Sequence, residues 1–144
     1  MFHIMHGSTD KLIRYQHVQT NPTTFDFHLH DECEIYFMLS GDINYFIEKN
    51  IYPLKYGDLI ITNPGEIHKP SLQSNKIYER VVLGFKPSKI RAFSTPQFDL
   101  LHCFFNRPRG EQNKISLNPG QAEELLQFFR KFDYLGKSAF AAYD

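Results

Sequence analysis

Short segments rich in β-branched and aromatic residues, each closed by Gly, Pro, Asn or Asp, recur at about ten-residue spacing through the first two thirds of the chain. They run from Leu12 to Val18, Thr24 to His30, Glu34 to Leu39, Ile43 to Glu48, Asp58 to Thr62 and Ile77 to Phe85. Many short strands so punctuated predict a sandwich or barrel, because no one of them can bury an apolar face alone. Gly41-Asp42 reads as a hairpin turn, and Lys49-Asn50 as another.

After Phe85 the period changes. Pro87 to Phe93 and Phe98 to Phe105 suggest two short helical pieces, followed by a polar loop from Asn106 to Lys114. A stronger helix signal comes next: Asn118 suits an N-cap, Pro119 the first helical position, and Gln121 completes a capping box. Ala122, Leu125, Leu126, Phe129 and Phe132 then recur at helical spacing, which predicts an amphipathic helix from Pro119 to about Leu135. Its apolar stripe must be buried, either against its own barrel or in a dimer seam.

At 144 residues the chain is the size of one domain, and 42% hydrophobic with 22% charged residues reads as globular. Sixteen basic residues balance sixteen acidic ones, so the electrostatic footprint of a nucleic-acid binder is missing. Cys33 and Cys103 show no framework or metal spacing and read as reduced thiols. With no signal-peptide pattern at Met1 to Gly7 and no long apolar run, the expectation is a cytoplasmic protein without membrane contact.

The chemistry concentrates in two places. Alternation along Phe25 to His30 puts Asp26, His28 and His30 on one strand face, and Glu34 follows. His68 then comes from the Asn63-Pro64-Gly65-Glu66-Ile67 turn. Three imidazoles and a carboxylate suit Zn, Ni, Mn or Fe. The same four side chains read alternatively as hydrogen-bonded polar groups lining an interior. Tyr36 and Met38 share parity with Glu34 and should point the same way. Arg80 is either an outward salt-bridge partner, the more common place for arginine, or the inward anchor of an acidic ligand. Asp31 and Glu32 read as solvated turn residues, His3, His6 and His17 as arm or surface, and His102 as core or interface.

These residues resemble the two motifs of the cupin superfamily. His28, His30, Glu34 and Gly41 match the first in full; Gly57, Gly65 and His68 match the second, with the proline one place late at Pro64 and no Asn following the His. The flanks, His30-Asp31-Glu32 through Glu34-Ile35-Tyr36, Gly57 to His68, and Tyr78 to Phe85, look like the N-terminal effector domain of AraC/XylS-type transcription regulators. The resemblance implies a mainly β fold, a cupin-type β-barrel (jelly roll) followed by a short C-terminal helical subdomain. The barrel with an N-terminal arm would occupy 1–86, and the helical part, packed on it as one structural unit, 87–144. It further implies a sensing and dimerisation domain for a sugar-like effector, bound by His28, His30, Glu34, Tyr36, Met38, His68 and Arg80. One divalent metal would be held by His28, His30, Glu34 and His68. The homodimer would form through the Pro119–Leu135 helix, and DNA would be reached only through a helix-turn-helix domain not present in this chain. No residue is assigned a catalytic role; the alternative is a small cupin metalloenzyme, a dioxygenase or sugar isomerase, using the same site.

Overall fold

The computed structural model describes residues 2–9, 12–20 and 31–141, with side chains over 12–20 and 31–135. The strands in chain order are β1 (Phe2–Thr9), β2 (Arg14–Thr20), β3 (Cys33–Ser40), β4 (Ile43–Ile47), β5 (Asn50–Leu54), β6 (Asp58–Thr62), β7 (His68–Leu72), β8 (Tyr78–Phe85) and β9 (Lys114–Ser116). Helices α1 (Pro87–Arg91) and α2 (His102–Phe105) precede β9, and α3 (Pro119–Ala141) ends the described chain. One sheet has six strands in the order β1-β2-β8-β3-β6-β9; the other has three, β5-β4-β7. From β3 to β8 the chain passes back and forth between the sheets, the winding of a jelly roll. Among the described residues no strand belongs to both sheets, so they form two facing layers and not the closed barrel expected.

The pleat of the six-stranded sheet sorts its residues into two cores. On β3 and β8, Tyr36, Met38 and Tyr78 face the small sheet and join Ile43, Tyr45, Ile47 and Ile60 between the layers. Their strand neighbours Phe37 and Val81 face the other way, where with Tyr15 they meet Ala122 and Phe129 of α3. A third cluster, Cys33, Ile61 and Phe85 with Leu101 and Phe104, lies on that same outer face under α1 and α2. The α3 stripe is therefore consumed within the chain: Leu125, Leu126 and Phe132 pack on the same cluster. It is not available as a dimer seam.

Helix α3 starts as its sequence predicts. The Gln121 N–H donates to Asn118 Oδ1 at 2.8 Å and the Asn118 N–H to Gln121 Oε1 at 3.0 Å, the reciprocal capping box. Polar groups add to its docking: the Tyr15 hydroxyl donates to the Asp133 carboxylate, and His17 lies between Asp133 and Glu79. Burial, reinforced by Asp133, pushes the Tyr15 phenol well above its ordinary pKa.

Two turns differ from expectation. Gly41-Asp42 joins β3 to β4, which lie in different sheets, so it is a crossover and not a hairpin. Gly41 has φ 134°, and a Cβ there would stand 3.1 Å from Met38 Cε. The β4–β5 hairpin turns on Glu48-Lys49, one residue earlier than expected, with Ile47 paired to Asn50 and Glu48 at φ 53°. Strands β1, β5, β7 and β9 escaped the sequence reading, while the expected strand at Thr24 to His30 lies outside the described residues.

The segment expected to be a polar loop is anchored. Glu66, with no exposed surface, accepts two hydrogen bonds from Arg107, at 2.6 and 2.7 Å, and others from Gly110 N, Asn113 Nδ2 and Asn63 N. Burial alone would raise its pKa; these donors, Arg107 foremost, hold it below the usual carboxylate value. Gly110 has φ 74°, and a Cβ there would meet Glu48 Cβ at 2.7 Å, so only glycine passes this point.

Two substitutions test this packing. Phe129→Ala should cost about 3–5 kcal/mol, because it empties a buried ring site, whereas Phe128→Ala, on the exposed face, should stay within roughly 0.5 kcal/mol. Urea unfolding checks both; equal effects would mean that α3 does not seat through Phe129.

Candidate functional site

Glu34 in β3 and His68 in β7 come from opposite sheets and meet between them, with Glu34 Oε2 3.5 Å from His68 Nε2. Both are buried. On the other side of the carboxylate, Arg14 of β2 places Nη2 3.3 Å from Glu34 Oε1 and Nε 3.1 Å from Glu32 Oε1. To do so it crosses β8 at Gly84, which pairs with both Arg14 and Glu34. A Cβ on Gly84 would lie 2.7 Å from Arg14 Nη2, so the glycine is the gap through which the guanidinium reaches the site.

His68 is held by its own turn. Its Nδ1 stands 2.8 Å from the Glu66 carbonyl oxygen. A carbonyl can only accept, so Nδ1 carries a proton and Nε2 is the atom turned to Glu34. A bare nitrogen lone pair facing a carboxylate repels it; the pair is attractive only with a cation between, a proton or a metal ion. Burial opposes the imidazolium, but the hydrogen bond and charge of Glu34 outweigh it, and the His68 pKa is raised. The Tyr45 ring stacks on the imidazole at a centroid distance of 6.1 Å and 16° between planes.

The pair supplies two of the donors a divalent metal would need, and among the described residues no group of three or more His, Cys, Asp or Glu side chains could hold one. A histidine whose Nδ1–H is held by a carbonyl is turned so that Nε2 is free to face a metal. Nitrogen and oxygen ligands about 2.1 Å from a tetrahedral ion stand roughly 3.4 Å apart, close to the 3.5 Å between Nε2 and Oε2. Beside them Thr62 of β6, paired with Glu34, buries a hydroxyl that has no hydrogen-bond partner among the described residues. His28 and His30, the other two expected ligands, lie outside the described residues.

The remaining expected ligand contacts lie further along the strands. Tyr36 hydrogen-bonds the Tyr78 hydroxyl and donates to Met38 Sδ at 3.6 Å, all within the packed inner core. Burial keeps Tyr36, Tyr45 and Tyr78 protonated, with Tyr78 pushed up to about 12. Arg80 does not point outward as its exposure statistics suggest. It is 7% exposed, donates to Thr20 Oγ1, and places its guanidinium 4.2 Å from the centre of the Tyr78 ring. Glu34 and His68 therefore form one pair, while Tyr36, Met38 and Arg80 lie further along β3 and β8.

Other expectations need correction. Glu32 is an ion-pair partner of Arg14 and not a solvated turn residue; Asp31 is exposed as expected. His102 is exposed, contacting Asn106 at 3.0 Å, because α2 buries Phe104 instead. His17 is half-buried under α3. Cys33 and Cys103 are free thiols, Cys33 with its pKa pushed by burial up to about 12. Arg14, Tyr45, Thr62 and Glu66 were missed. One signal was present: a lone glycine inside a strand pattern, Gly84, marks a close approach.

The family profile of the AraC-like ligand binding domain matches residues 12–132, which take in every strand but β1 and the first part of α3. The chain belongs to this family. No curated relative matches the sequence. Solved structures of similar fold include an RmlC-like cupin family protein with a double-stranded β-helix fold from Methanocaldococcus jannaschii, with TM-score 0.53 and 10% identity over 60% of this chain and 81% of that one. A protein of unknown function from Streptococcus pyogenes gives TM-score 0.53 and 14% identity over 60% and 75%. AerE from Microcystis aeruginosa gives 0.51 and 20% over 55% of this chain but only 39% of its own length. At these identities the likeness shows the cupin fold.

The raised His68 pKa has a testable sign. In metal-free protein the stabilisation from the Glu34–His68 pair should be complete below the ordinary imidazole pKa and disappear as pH rises through the raised folded value. Urea midpoints measured in chelator should fall across that window for the wild type and stay flat for Glu34→Gln. An unchanged slope in Glu34→Gln would disconnect the two residues.

Proposed function

We propose that this AraC-like ligand binding domain is the small-molecule sensor of a transcription regulator, and that its effector is sugar-like and sits at the mouth beside Glu34 and His68. The observation supporting a sensor is the two-sidedness of β3. Glu34 and Tyr36 project to the site face, and Phe37 between them and Met38 projects to Phe129 of α3, with ring centroids 5.4 Å apart. A ligand that favours one setting of this strand necessarily favours one seat of the helix, which is the differential interaction that a population shift requires.

His28, His30, Glu34 and His68 would hold a Zn, Ni, Mn or Fe ion, and the ion would supply a positive charge and an open position for an effector oxygen. Thr62 offers a further hydroxyl, and Arg14 orients the Glu34 carboxylate by an ion pair at 3.3 Å. The buried Arg80 gives the interior a positive charge that suits an effector carrying an acidic group. DNA would be contacted by a helix-turn-helix domain of the same regulator, since this chain has no excess of basic residues. A homodimer through the Pro119–Leu135 helix would use the outer face, where Phe128, Tyr134 and Leu135 are exposed. Among the described residues no helix is long and apolar enough to cross a membrane, in keeping with a cytoplasmic regulator.

Two measurements test the reading. One sugar or sugar acid from a panel should raise the melting temperature in proportion to mass action and be recovered unchanged; its conversion at catalytic turnover would favour the cupin metalloenzyme instead. Purified protein should carry close to one metal equivalent, lost in His28→Ala and His68→Ala. A metal-free wild type, even after reconstitution, would remove the metal while leaving the sensor.

A further inference from the structure

The buried Glu66 carboxylate collects five donors, and all but the Asn63 N–H come from the 107–113 loop. Arg107 and Glu66 are buried to 3% and 0% exposed side-chain surface. A buried ion pair of this kind is a poor source of net stability, because desolvation offsets most of the attraction and apolar isosteres commonly serve as well. What a bidentate pair adds is geometry. Here it fixes a residue whose main chain belongs to the site, since the Glu66 carbonyl is the acceptor that orients His68 through Nδ1–H at 2.8 Å.

We propose that Glu66 and Arg107 are positioning residues of the effector site: their ion pair locks the Asn63–His68 turn so that His68 turns Nε2 to Glu34, and it makes that orientation depend on the seating of the 107–113 loop. The local bonds of the turn do not suffice for this. Glu66 N–H to Asn63 O, at 3.1 Å, Gly65 N–H to Asn63 Oδ1, at 2.9 Å, and Asn63 N–H to Glu66 Oε1, at 3.0 Å, close the loop and hold one carboxylate oxygen, but leave Oε2 to donors from the 107–113 loop. The far end of the clasp is equally tied. Asn113 donates to Ile61 O at 2.8 Å and its carbonyl accepts the Ile61 N–H at 2.9 Å, after which the chain runs through β9 directly into α3. The imidazole and the start of the helix are thus held by one buried charge pair.

The inference rests on the reading of Glu34 and His68 as ligand-binding residues, so its test needs a signal that no ligand supplies. In metal-free Glu34→Gln protein at alkaline pH, where imidazole is neutral and the amide can donate to Nε2, nitrogen NMR of His68 should show a single Nδ1–H tautomer with a slowly exchanging proton. Arg107→Lys keeps the charge but loses the fork, and the double variant Glu66→Gln with Arg107→Met removes both charges together. Both should retain the circular dichroism of the wild type, yet in the Glu34→Gln background show mixed tautomers and faster proton exchange and, with Glu34 present and zinc as probe, an affinity lowered roughly 10–100-fold, Arg107→Lys less than the double variant. A folded variant with the tautomer and exchange rate of Glu34→Gln alone would overturn the proposal and leave the pair as a structural tie. If the double variant fails to fold, Arg107→Lys decides by the same signal. A wild type that binds no zinc removes the metal reading alone, because the tautomer is read without it.

Discussion

Everything functional in this domain depends on the alternation of β3. A strand between two layers must send successive side chains to opposite faces, and here both faces are occupied. Tyr36 and Met38 go to the space between the sheets, and Phe37 to the seat of α3. A one-residue slip in register would put the Glu34 carboxylate under the helix and Phe37 into the site. Pairing on both sides, with β6 and β8, prevents it. The sheet is therefore a partition whose two sides cannot be set independently.

Charge is treated in two ways across that partition. Glu66 and Arg107 are sealed, nearly saturated with partners, and tie the C-terminal loop to the turn that carries His68. Glu34 is more open to exchange: one oxygen faces a guanidinium that is a quarter exposed, and the other a histidine whose facing nitrogen needs a cation. A saturated pair has nothing to offer a ligand, whereas an ion pair at 3.3 Å beside an unpartnered Thr62 hydroxyl has acceptors and donors to trade. The difference separates scaffold from site without reference to any relative.

The β-rich architecture was readable because its signals are local. Strands β3, β4, β6 and β8 were placed within about a residue or two by alternation and turn residues, and α3 by a cap that the structure reproduces atom for atom. The missed strands lack such signals. β5 contains Pro53, β7 begins at His68 and contains Pro70, and β9 has three residues that pair only because Asn113 is anchored beside β6. In each case long-range pairing decided what local preference could not. The Glu34–His68 contact was readable from motif spacing, but Arg14 was not, since its arrival depends on crossing a glycine seventy positions later in the chain.

Arg80 shows where residue statistics fail for a physical reason. Arginine is exposed on average because an isolated guanidinium loses several kcal/mol of hydration on burial, and that argument assumes an apolar surrounding. The interior of this domain is not apolar at that depth: the Thr20 hydroxyl accepts from Arg80, and the Tyr78 ring offers its face at 4.2 Å. Tyrosines supply both a hydroxyl and a negative ring face without adding a titrating charge, and burial keeps these hydroxyls protonated. A core built on Tyr36, Tyr45 and Tyr78 can therefore accommodate a guanidinium through hydroxyls and ring faces. On β3 the Glu34 carboxylate meets both His68 and Arg14. The aromatic composition that reads as ordinary core packing in the sequence is, inside the fold, the medium in which the charges of the site can stand.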